Sequence, residues 1–171
     1  MWATGALAFA QDAQIAEAAI VRDAYWAALD RGDYNEAYAL FTPGMQSLSP
    51  ADTFAREGAS QAAQNGRAIE RRVMRTTRYD NPANAPAPGI YIAFDFVGRF
   101  EHADRNCGYI ILYQSQAGGP FQVTRTDQTF LHNSTAAEAS RSGQSVDQVW
   151  TQMASAYCPG WQPDWTIQPP V

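Results

Sequence analysis

The stretch Ile90–Glu101, IYIAFDFVGRFE, decides the fold. Ile90, Ile92, Phe94 and Phe96 alternate with Tyr91, Ala93, Asp95 and Val97. A period of two sends successive side chains to opposite faces of a strand. Downstream, Ala103–Asn106 is expected to turn the chain, and Gly108–Ser115 (GYIILYQS) reads as a strand apolar on both faces. Ala117-Gly118-Gly119-Pro120 turns again, and Phe121–Leu131 is a further strand. Connections of about four residues between strands predict an antiparallel meander. Upstream, the Pro/Gly-rich Asn81–Gly89 (NPANAPAPG) must be a loop, and Ile69–Tyr79 reads as a strand mixed with arginines.

The chain before these strands is helical. Ile15, Ala18, Ala19, Tyr25, Trp26 and Leu29 recur at three- and four-residue spacing and form one stripe from Asp12 to Asp30. Asp12 is the expected N-cap. Gly32 suits the position after the helix end. A short second helix, Tyr34–Phe41, is expected to stop at Pro43-Gly44. Ser49-Pro50-Ala51-Asp52 signals a third helix, ending at Asn65-Gly66. After the strands, Thr135–Tyr157 is expected to form one polar, Ala-rich helix, and the Pro- and Trp-rich Cys158–Val171 cannot be regular helix. Helices first and strands afterwards predict an α+β domain, with a helical layer on one face of an antiparallel sheet.

Length and composition narrow the class. The 171 residues suffice for one domain with a real core. Hydrophobic residues make up 46% and charged residues 17%, which argues against disorder over the whole length. All 12 basic residues are arginine, a pattern read as genome composition. The net charge of -5 argues against a nucleic-acid partner, which would need a basic face. Two His and two Cys match no zinc spacing, so no metal is expected. Residues 1–10, MWATGALAFA, end in Ala8-Phe9-Ala10 before Gln11-Asp12, an A-x-A-like cleavage signature. They read as the tail of a signal peptide, with cleavage near Ala10 and a periplasmic or secreted mature chain. No stretch approaches the roughly 18 apolar residues that a membrane span needs.

The run AYWAALDRGDYNEAYALFTP, Ala24–Pro43, resembles the opening of proteins with the nuclear-transport-factor-2-like fold. The later RRVMRTTRYDNPANAPAPGIYIAFDFVGRFE and FQVTRTD are similar to a bacterial family known as domain of unknown function 4019. Gly89, Tyr91, Phe96, Phe121 and Val123 sit where that pattern would put them. The resemblance spans roughly Ala16–Leu131 and leaves out the tail. It implies a curved sheet behind N-terminal helices, and export, but no reaction. The expected division is a signal-peptide remnant at 1–10, the α+β domain at 11–132, and a C-terminal helix and tail at 133–171 packed on that same domain.

Arg22 falls in the middle of the apolar helical stripe. An unpaired guanidinium cannot sit in a core. It must therefore reach the rim, pair with an acid such as Asp95 or Asp127, or line a cavity with Tyr25 and Trp26 and meet a bound ligand there. Arg22, Tyr25 and Trp26 are the candidate ligand-binding residues. Asp95 is expected on the outer or dimer-facing side of the sheet. Arg67, Arg71, Arg72, Arg75 and Arg78 divide between two strand faces, which suits a solvated edge strand better than a basic patch. His102, His132 and the serines form no nucleophile motif, and no Gly-rich loop cradles phosphate, so neither a catalytic residue nor a cofactor is expected. Cys107 and Cys158 are expected to pair, stapling the tail to the sheet, because an exported chain with two cysteines meets an oxidising compartment.

The expected function is an exported, non-catalytic domain that binds a small ligand or a protein. One alternative is a pocket enzyme of isomerase or cyclase type on the same fold. Another is an assembly module whose copies pair as a homodimer through the sheet.

Overall fold

Helix α1, Ala3–Arg31, is longer than the apolar stripe predicts. Asp12 lies inside it and does not cap it. Alanine has the highest helix propensity, and the Ala-rich residues before Asp12 carry the helix on without a break. The structure is a computed structural model that describes residues 3–158 and Trp161, with side chains from Ala10 onward. Gly32, at φ +73°, ends α1. Asp33 then caps α2, Tyr34–Ala39, by accepting the Glu36 N–H at 3.0 Å.

The second helix ends before Pro43-Gly44, at Ala39 rather than the expected Phe41, and Pro43-Gly44 itself starts α3, Pro43–Leu48. Thr42 caps α3 by accepting the Met45 N–H, and proline fits the first helical turn because no N–H is needed there. Helix α4, Ala51–Asn65, ends at Gly66 with φ +71°.

Four strands follow: β1 Ala68–Asp80, β2 Gly89–Phe100, β3 Ala103–Ser115 and β4 Gln122–His132. They form a curved antiparallel sheet of order β1-β2-β3-β4. The β2–β3 turn is two residues, Glu101-His102, and Ala103–Asn106 is already strand. The polar run Asp104-Arg105-Asn106 imitates a turn, yet Arg105 and Asn106 are fully buried.

The single helix expected at Thr135–Tyr157 is two, α5 Asn133–Arg141 and α6 Val146–Ala154. They are separated at Gly143, whose φ of +75° glycine adopts without the steric cost a Cβ would bring. The tail beyond Cys158, apart from Trp161, lies outside the described residues. No helix among the described residues is long and apolar enough to cross a membrane.

The fold is α+β. The chain groups into two compact units, and each strand contributes to both. The first comprises the described residues up to 58, with 76–94 and 110–126. Its core holds Tyr25, Phe41, Ile92, Phe94, Ile110, Leu112 and Val123. Phe41 packs on Tyr25, Tyr38 and Phe54 with ring centroids 5.0–5.7 Å apart. The backbone of Leu40–Thr42 bonds Val123 on both sides, so the chain after α2 runs beside β4.

The second unit comprises residues 59–75, 95–109 and the described residues from 127 onward. Its core joins Val97, Cys107 and Leu131 of the sheet to Ala136 of α5, Trp150 and Ala154 of α6, and Cys158. Cys107 and Cys158 form a disulfide, with Cα atoms 6.3 Å apart, inside the span such a bridge requires.

Candidate functional site

Arg22 projects from the third quarter of α1 onto β2. Its guanidinium carbon lies 4.5 Å from the centroid of Phe94 and 5.1 Å from that of Trp26. Cations sit favourably over ring faces because the ring quadrupole is negative there. Nε and Nη2 both donate to Asp23 Oδ1, at 2.9 and 2.7 Å. The Arg22 side chain is 13% exposed and that of Asp23 61%. The counter-ion is thus the neighbouring residue, and neither Asp95 nor Asp127 takes that role. Consecutive helical residues do not face one another, so the contact depends on the guanidinium folding back along the helix surface. Tyr25 is buried against Phe41, and Trp26 is half-buried. Arg22 and Trp26 therefore share an aromatic surface, while Tyr25 belongs to the core behind it.

Asp95 sits between two buried neighbours on β2 and accepts from Arg75 Nε at 2.7 Å. The other arginines of the β1 region are also occupied. Arg67 bonds Glu101, Arg71 lies over Phe100, Arg72 faces Glu70, and Arg78 donates to Gln14. Arg67, Arg72, Arg75 and Arg78 each face a carboxylate, which offsets their charge locally. Asp127 is exposed, and its carboxylate accepts the Gln128 N–H.

Glu101 is a group whose acidity is clearly shifted. The Arg67 backbone N–H, donated to its Oε2 at 2.9 Å, holds its carboxyl below the usual range, and the Arg67 charge adds to this. The arrangement closes the segment after α4 against the β2–β3 turn. His132 joins the same region, its Nε2 lying 2.9 Å from Oδ1 of the buried Asn65. The Asn65 carbonyl accepts the His102 N–H. These contacts hold a junction and assemble no acid–base pair.

Two features escaped the sequence reading. Arg105, 2% exposed, donates from Nε to Asp104 and from Nη1 to Asp147, both at 2.7 Å. The signal available was the Asp104-Arg105-Asn106 run directly before Cys107, which marks a strand bearing buried polar groups as readily as a turn. An open depression of about 500 Å³ runs along α6, lined by Asp147, Gln148, Thr151 and Gln152. Its one charged group is the carboxylate that Arg105 holds.

Residues 22–125 match a family described as "Protein of unknown function (DUF4019)". The match begins at Arg22 and ends in β4, before α5. No curated protein matches the sequence. A solved structure of an NTF2-like family protein from Streptomyces avermitilis superposes with a TM-score of 0.44 and 9% identity. The superposition covers 71% of this chain and 98% of that one. At that score the likeness adds nothing to what the order of helices and strands itself shows.

Proposed function

The chain belongs to the DUF4019 family, and from that premise we propose that it is an exported, non-catalytic domain that binds a small ligand or a protein partner through Arg22 and Trp26, with Tyr25 as the support behind them. The observation that carries this reading is the Arg22 guanidinium held over Trp26 and Phe94 beside an exposed carboxylate. An arginine fixed on aromatic rings keeps little rotamer entropy to lose, and its planar donors suit a carboxylate. A ligand anion would replace Asp23 as the partner.

The disulfide supports export, since such bridges persist in oxidising compartments. The ion pairs support a binding role over catalysis, because Asp95 is already engaged by Arg75 Nε. Pairing of copies through the Val97 side of the sheet is disfavoured, because Trp150 and Ala154 of α6 already pack there.

Benzoate, a planar carboxylate, tests the reading by tryptophan fluorescence on the full chain. Saturable quenching that is lost in Arg22→Leu is the expected result. No saturable change with benzoate in the unaltered protein, or equal quenching in Arg22→Leu, would overturn it.

A further inference from the structure

We propose that α5, α6 and Trp161 form a latched cover, which detaches as a unit when the Cys107–Cys158 disulfide is reduced and leaves the rest of the fold standing. The segment lies wholly beyond the family match, which ends at residue 125. Both helices have nine residues, below the length that persists alone in water. Their order therefore depends on docking. The docked face is modest: Ala136 and Ala139 from α5, Trp150 and Ala154 from α6, with Val146, Val149 and Trp161 at the margin.

Three fasteners add to this packing. At the start of α6, Asp147 meets Arg105, but its carboxylate is 68% exposed, so the pair is screened, and Arg105 keeps Asp104 if Asp147 leaves. Past α6, Arg75 of β1 lies 5.9 Å from the Trp161 ring, while Trp150 Nε1 donates to the Trp161 carbonyl at 2.8 Å within the cover itself. Between these stands the disulfide, which closes a separation of 51 residues. With the sheet still folded, only the stretch from His132 to Cys158 is freed, and the chain-entropy relation gives a bridge over that stretch an effect on the order of a few hundredfold on the opening equilibrium. It is the strongest of the fasteners and the one that can be removed chemically.

Reduction is a thiol–disulfide exchange with a dithiol. One dithiol sulfur attacks a bridge sulfur and forms a mixed disulfide. The second then displaces the protein thiol, leaving two thiols on the chain and an oxidised dithiol. Cys107 and Cys158 are both buried, so attack takes place only while the cover is lifted. The device thus favours the closed state in an oxidising compartment and the open state where dithiols are abundant. It does not depend on the ligand reading of α1.

Hydrogen exchange on the full chain tests the inference in three states: oxidised, reduced with dithiothreitol, and the double variant Cys107→Ala/Cys158→Ala. Amides of α5 and α6 should exchange on the order of a hundredfold faster or more in the latter two states, while Ile92, Phe94, Ile110 and Leu112 keep their protection. Unchanged exchange in α5 and α6 would overturn the inference. So would a common acceleration of all these amides, or unfolding of both the reduced chain and the variant, because either makes the bridge a requirement of the whole fold.

Discussion

Arg105, buried in β3, places Nη1 2.7 Å from Oδ1 of Asp147, a residue in the first turn of α6 and 42 positions away in sequence. The other side of the same guanidinium meets Asp104, which is 8% exposed where Asp147 is 68% exposed. One buried cation thus has an inner and an outer carboxylate. Asp104→Asn should destabilise the protein by about 2–4 kcal/mol, because it removes the buried counter-charge. Asp147→Asn should change stability by less than about 1 kcal/mol, since that partner is hydrated. Urea unfolding at neutral pH compares the two, and equal effects would refute the inner–outer distinction.

The Arg22 surface makes a second contrast. Phe94 is 1% exposed, and Phe94→Ala should cost about 3–5 kcal/mol. Trp26 meets the core through Arg22 and stays half-buried, so Trp26→Ala should cost about 1–2 kcal/mol. Denaturant midpoints of the two variants check the order, and a larger loss for Trp26→Ala would reverse it.

Glycine positions separate crowding from helix propensity. A Cβ on Gly108 would lie 2.2 Å from the Asp127 carbonyl oxygen, a backbone atom that cannot step aside cheaply. Gly108→Ala should therefore destabilise by about 1–3 kcal/mol. Gly44 lies in α3 with its nearest outside atom 4.0 Å from the Cβ position. Gly44→Ala should stabilise by about 0.5–1 kcal/mol, because alanine loses less backbone entropy. Thermal melts should move in opposite directions.

Glu101 predicts a pH dependence. Its folded-state pKa is lowered, first by the Arg67 N–H and then by the Arg67 charge. A group depressed on folding contributes stability above its unfolded value, and that contribution is lost as pH falls through the folded value. The unaltered protein should therefore be more stable than Glu101→Gln at neutral pH. The difference should shrink as pH drops below the ordinary value of 4.5 and vanish under the lowered one. A difference constant from pH 7 to pH 3 would contradict this.

The sequence by itself determined what depends on local chemistry. The alternation of Ile90–Val97 places β2, and the proline-rich Asn81–Gly89 places the loop before it. Asn65-Gly66 ends α4 because Gly66 takes a positive φ. Two cysteines in a chain read as exported predict the bridge that joins Cys107 to Cys158. Periodicity reports that a face is buried and says nothing of what buries it. Arg22 could be placed on an apolar stripe, but only the three-dimensional structure selects Asp23, Trp26 and Phe94 as its partners. Asp104-Arg105-Asn106 has the composition of a turn and becomes strand because Asp147 and Thr129, distant in sequence, accept from the Arg105 guanidinium and the Asn106 Nδ2. The break between α5 and α6 is likewise tertiary: the Ala-rich run could continue as one helix, but docking both Ala136 and Trp150 in one core requires the chain to turn at Gly143. Local rules act over a few residues, whereas burial of a charge or a ring depends on groups that the folded chain alone brings near.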